Sequence, residues 1–172
     1  MIFTKRSDYG LRAVLELAAS YHKGPLSAHE IARRGGLPEP FVKKLLQRLA
    51  AARIVAALRG RRGGYALTRP PEHVSLLEVL EAFEDLAPVS CLQLPHPPTD
   101  AGPAGGEAPC AAEVEEEACP VRAAWAMVDR RVRETLGTIT LVDLLHEVRA
   151  RGFSLGAGGR GRGDETEEVR SR

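Results

Sequence analysis

Between residues 73 and 120 the chain has no lysine or arginine at all, against 10 Asp or Glu, whereas residues 1–72 hold 14 basic and 5 acidic side chains. Residues 121–148 balance at 4 and 4 and residues 149–172 hold 6 and 4, so the formal net charge of +1 conceals a basic half (+9) beside an acidic one (−10). Sign asymmetry of this kind points to nucleic acid as a partner of one half. Other scarcities narrow the class. No stretch approaches the roughly 18 consecutive apolar residues of a membrane span, and Lys5, Arg6, Asp8, Arg12 and Glu16 interrupt the first 21 residues, unlike a signal peptide. The expectation is a cytoplasmic protein with no membrane partner. There are only 3 cysteines, Cys91, Cys110 and Cys119. An odd set in a reducing compartment is a poor disulfide framework and leaves thiolate chemistry, metal binding or use as small buried residues. No Ser/His/Asp constellation, phosphate-binding glycine loop or paired-carboxylate cleft is present, which speaks against an enzyme.

What is present begins with helical periodicity. Leu11, Val14, Leu15 and Ala18 recur at helical spacing within residues 8–21, with Thr4 or Ser7 as the candidate cap. Ser27 and Glu30 form a capping-box pattern that opens a second helix, ended by Gly35-Gly36. A third helix starts near Pro38 and runs through Phe41, Val42, Leu45, Leu46 and Leu49. Helix, glycine-containing turn and helix make the helix-turn-helix pattern. Two β-prone runs, 54–58 and 65–68, flank the tip Arg59-Gly60-Arg61-Arg62-Gly63-Gly64 and read as a hairpin wing. Tyr65 is expected to pack under it, with Leu58 and Leu67 as hairpin core.

Ser75 and Glu78 repeat the capping-box pattern before Val79, Leu80 and Phe83, in a helix expected to end around residues 85–88. Residues 88–109 are rich in proline and glycine and read as a loop. Val121, Trp125, Val128, Val132 and Leu136 then mark an amphipathic helix whose stripe needs a partner. Thr140 and Asp143 cap a last helix over Leu141, Leu144, Leu145 and Val148. The tail beyond residue 149, dominated by glycine and charge, is expected to be disordered. The fold class is therefore mainly α with a small β-hairpin, a winged helix-turn-helix domain plus a long dimerisation helix. The boundaries drawn are 1–86 for the DNA-binding domain, 87–120 for the cysteine-bearing loop, 121–149 for the dimerisation and closing helices, and 150–172 for the tail.

The third helix turns Lys43, Lys44, Gln47 and Arg48 outward. A lysine pair alone more often solvates a helix surface, but three arginines on a narrow glycine hairpin have no core reason to be there. Arginine is weakly hydrated and suits the electronegative minor groove, while a helix fits the major groove. Phe41, Lys43, Lys44, Arg48, Arg59, Arg61 and Arg62 are the candidate contacts to double-stranded DNA.

With these elements in place, the chain resembles the Rrf-two family of winged-helix regulators, in its IscR-like and NsrR-like branches. The resemblance rests on Phe3-Thr4-Lys5, Asp8-Tyr9, Leu11-Arg12-Ala13, Ile31-Ala32, Leu45, Leu49, Arg59-Gly60, Gly63-Gly64-Tyr65, Cys119, Trp125 and Ile139-Thr140-Leu141. It implies a homodimer joined through the 121–136 helix, reading a palindromic operator as a transcriptional repressor, with Arg59 in the minor groove. It also implies an iron-sulfur cluster, 2Fe-2S or 4Fe-4S, on Cys91, Cys110 and Cys119, through which nitric oxide, redox state or iron-sulfur status is sensed.

Two departures stand out. Family cysteines are spaced by about five residues, whereas 18 and 8 residues intervene here, and the position of a histidine ligand three residues past the last cysteine is Arg122. Arginine cannot ligate iron. The resemblance to the NsrR-like branch makes Asp8 of the other subunit the fourth ligand, against the plainer role of a first-turn acid complementing the helix dipole. Glu113, Glu115, Glu116 and Glu117 disfavour thiolates unless a cation offsets them, so a zinc site with His96 competes, as does a cluster-free thiol-redox regulator of the same fold. His22, His29, His73 and His146 read as surface or packing residues.

Overall fold

The computed structural model describes residues 4–60, 63–87, 120–153 and 155. Helix α1 (Lys5–Ala19) is the hub and packs against α2 (Ala28–Gly35), α3 (Glu39–Ala51), α4 (Leu76–Glu81) and α6 (Leu141–Ala150). Thr4, not Ser7, caps α1: its hydroxyl accepts from the Arg6 amide at 3.2 Å. Ala13, Val14, Leu17 and Ala18 are buried, and Leu11 is packed at the margin of the core. Glycine at position 10 lets α1 approach the Phe83 ring, since an added Cβ would lie 2.1 Å from its Cε2.

A single 3-10 turn (Tyr21–Lys23) leads to α2, whose start differs from the full capping box expected. Ser27 accepts from the Glu30 amide at 3.1 Å, but the Glu30 carboxylate turns to Arg33 (2.8 Å) and Arg34 (2.6 Å). Two guanidinium groups outbid one neutral amide for the same acceptor. Those bonds hold the Glu30 carboxyl down from 4.5 to about 2. A depressed folded-state value means that the stabilisation is complete above pH 4.5 and is lost as pH falls towards 2. An acid titration of thermal stability should therefore slope downward through that window, and less steeply in Glu30→Gln, which has nothing left to protonate.

Gly36, left-handed at φ 63°, ends α2 with its amide on the Ala32 carbonyl, as the Gly35-Gly36 pattern requires. After Leu37 and Pro38, α3 buries Val42, Leu45, Leu46 and Leu49. The wing strands β1 (Val55–Leu58) and β2 (Gly64–Leu67) pair antiparallel, Val55 opposite Leu67 and Leu58 opposite Gly64. Tyr65 and Leu26 exchange backbone hydrogen bonds at 2.8 and 3.0 Å, adding the segment before α2 to the hairpin. Gly64 is needed there: a Cβ would meet the Leu26 carbonyl oxygen at 2.5 Å. Tyr65 is packed on the core as expected, but Leu58 is 49% exposed. It lies at the outer end of an edge strand, beyond the reach of the helices, and is not hairpin core.

A 3-10 turn (Pro71–His73) precedes α4, where the Ser75/Glu78 capping box forms in full. Helix α4 is shorter than expected, ending at Glu81, although Phe83 and Leu86 beyond it are still buried. Helix α5 (Pro120–Thr138) packs against α4, and Arg133 joins them by pairing with Glu81 while also pairing, within α5, with Asp129 at 2.7 Å. The Thr140/Asp143 capping box starts α6. The Leu76 amide binds the Ile139 carbonyl at 2.8 Å and the Leu141 amide that of Val74 at 3.0 Å, which carries Leu141 and Leu145 into the core beside α1.

Candidate nucleic-acid interface and sensor site

The buried stripe of α3 fixes what its other side presents. At roughly 100° per residue, Pro40, Lys44, Gln47 and Ala51 lie opposite Val42, Leu45, Leu46 and Leu49, with Lys43 on one flank and Phe41 and Arg48 on the other. All seven are exposed, Phe41 by 53%. The two flanks are engaged. The Lys43 ammonium lies 3.4 Å from Glu39 of the preceding turn, whose carboxyl is held below its usual range first by His29 and then by Lys43. Phe41 presents an edge-on contact to the Tyr9 ring of α1, centroids 6.3 Å apart. Arg48 Nη1 donates to the Phe83 carbonyl at 3.4 Å, a long bond that tethers α3 to the turn after α4.

The wing tip starts at exposed Arg59 and turns at Gly60, φ 111°. Arg61 and Arg62 lie outside the described residues.

Asp8 sits in the first turn of α1 with an outward carboxylate, 3.2 Å from Arg12, both side chains more than half exposed. An exposed pair of this spacing is worth about 0.3–0.5 kcal/mol, so little holds Asp8 to its own helix. Its neighbour Ser7 and, one turn earlier, Thr4 both donate to Glu84, keeping its carboxyl below the usual range; Ser7 is 1% exposed. This junction borders an open depression of about 380 Å3 lined by Arg48, Glu81, Phe83, Glu84, Asp85 and Arg133. On α5, Val121 (59%), Trp125 (38%) and Val128 (40%) leave the upper part of the stripe exposed, while Val132 and Leu136 are half-buried. Met127, 53% exposed, points away from the stripe.

The model of the Rrf2 (Rrf-two) family, described as an iron-dependent transcriptional regulator, matches residues 3–147. The chain belongs to the Rrf2 family. An HTH-type transcriptional regulator of Synechocystis sp. is 33% identical over 158 residues, covering 92% of this chain and 97% of the relative. Among solved structures, CymR, the global cysteine regulator of B. subtilis, is 27% identical with a TM-score of 0.62, over 86% of this chain and 98% of that one. T. potens IscR superposes with a TM-score of 0.64 over 91% and 94% at 24% identity, a likeness of fold.

As a member of the Rrf2 family the protein is a DNA-binding transcriptional regulator and not an enzyme. Its candidate DNA contacts on α3 and at Arg59 fall on one helix and the adjoining wing. The cysteines Cys91, Cys110 and Cys119, and His96, lie outside the described residues; within those residues no cluster of three His, Cys, Asp or Glu could hold a metal ion, and no helix is long and apolar enough to cross a membrane. The Arg48 tether and the Glu84 junction were not anticipated from the sequence. A hydroxyl pair at the start of one helix carries no signal for a carboxylate 77 residues downstream.

Proposed function

We propose that this Rrf2-family regulator is a homodimer, joined through the α5 stripe, that binds a palindromic operator as a repressor and senses nitric oxide, redox state or iron-sulfur status. Lys43, Lys44 and Arg59 supply the phosphate and groove contacts of each half-site; Arg61 and Arg62, close to Arg59 in sequence, add positive charge for the phosphates, Phe41 borders the contact, and Arg48 acts from its tethered flank. Cys91, Cys110 and Cys119 hold an iron-sulfur cluster, and Asp8 of the partner subunit supplies the fourth ligand. The observation that carries the sensor reading is the Asp8 carboxylate, exposed at the start of α1 and, among the described residues, held by a weak ion pair with Arg12 alone. Three thiolates and one oxygen donor suit such a cluster, whose loss of a labile ligand would change the dimer geometry and so the spacing of the two DNA-reading heads.

Protein purified without oxygen is expected to be coloured and to contain iron and sulfide, with an absorption spectrum altered or abolished in Asp8→Ala. An unchanged Asp8→Ala spectrum would reject the carboxylate ligand. A colourless, iron-free chain that still binds its operator would reject the cluster. The second reading, a cluster-free thiol-redox or zinc-containing regulator, draws on the likeness to CymR; oxidant-sensitive DNA binding by iron-free protein would favour its thiol form, and bound zinc the other.

A further inference from the structure

Nothing in a lysine-rich surface distinguishes adenine from the other bases, because an ammonium only donates. Along the outward row of α3, Pro40 and Ala51 have no polar side-chain atoms and Lys44 has only a donor. Gln47 has both. Its side chain is exposed and, among the described residues, makes no hydrogen bond, whereas Lys43 is drawn to Glu39 and Arg48 to the Phe83 carbonyl. The amide is thus free to offer a carbonyl oxygen and an NH2 group side by side, matching the N6 donor and N7 acceptor that adenine displays in the major groove.

The neighbours support close approach. Pro40 and Ala51 stand one turn beyond Lys44 and Gln47 on either side, and both are short, so the helix can seat without a long side chain holding it off. Lys44, three residues before Gln47, is displaced by roughly 4.5 Å along the axis, so it and Gln47 address different positions along the groove. The flanking Lys43 is then placed for backbone phosphates rather than base edges.

We propose that Gln47 is a specificity-determining residue that reads an adenine in each half-site by paired hydrogen bonds in the major groove. This rests on the DNA-binding reading of α3 and deepens it. The test is selection of bound sequences from a random duplex library by the full chain, comparing the unsubstituted protein with Gln47→Ala and Gln47→Arg. The unsubstituted chain should select an adenine at one position per half-site. In Gln47→Ala that preference should fall by about tenfold or more while the other positions and the salt dependence of binding stay as they were, and Gln47→Arg should move the preference to guanine. An adenine preference that survives both substitutions overturns the proposal, as does a loss spread evenly over all positions. Salt-independent binding, or none, by the unsubstituted chain overturns the parent reading with it, an outcome distinct from either.

Discussion

Leu46→Ala is expected to lower folding stability by about 2–5 kcal/mol, the range for a leucine truncated in a core that closes only partly around the cavity. Leu46 is 0% exposed, on the face of α3 that packs against α1 and α2, so no single element can move in without disturbing another. Set against a total of about 5–15 kcal/mol for a domain of this size, the loss is large. Chemical denaturation should show the midpoint falling with little change in slope. Lys44→Ala, on the opposite side of the same helix, should stay within about 0.5 kcal/mol and serves as the control. A Leu46→Ala loss below about 1 kcal/mol would mean that α3 is not seated as described.

The second large effect belongs to Trp125→Ala. The α5 stripe leaves Val121, Trp125 and Val128 substantially exposed in the single chain, while Arg133, about a quarter-turn around the helix and braced by Asp129 of the preceding turn, pairs α5 with Glu81 of α4. If that stripe is the dimer seam, Trp125 is its largest anchor, and aromatic anchors of this kind account for about 2 kcal/mol or more of association, roughly a 30-fold weakening when truncated. Sedimentation over a dilution series should show Trp125→Ala dissociating at concentrations where the unsubstituted chain is dimeric. Helix content should be preserved, because Trp125 lies outside the buried core. An unchanged association constant would place the seam elsewhere.

How far the sequence disclosed this molecule depended on the range of the interactions. Local ones were readable: the caps at Ser75/Glu78 and Thr140/Asp143, the Gly36 stop, the glycine hairpin and the stripes of α1, α3 and α5 all follow from residues within a turn or two of each other. Where competing partners were available, local rules failed. Glu30 had the spacing for a reciprocal cap but met Arg33 and Arg34 instead. Leu58 alternated correctly for a core strand yet sits beyond the core's edge. Long-range relations were invisible: Ser7 reads as a helix cap, and only the fold brings Glu84 to it. At the candidate DNA surface the residue types were legible, whereas their engagement was not, since the Arg48 tether depends on where α4 ends.

The two backbone hydrogen bonds between Leu26 and Tyr65 give the wing a second attachment besides its own strands. Because Leu26 stands just ahead of α2, these bonds fasten the hairpin to the helix pair as one jaw of a caliper is fastened to the other. If α3 and Arg59 contact DNA as proposed, an operator with an extra base pair inside a half-site, between the bases under α3 and those under Arg59, would meet a protein whose grip these bonds hold against widening. In the proposed dimer, an extra base pair between half-sites would be felt only through the joint between subunits.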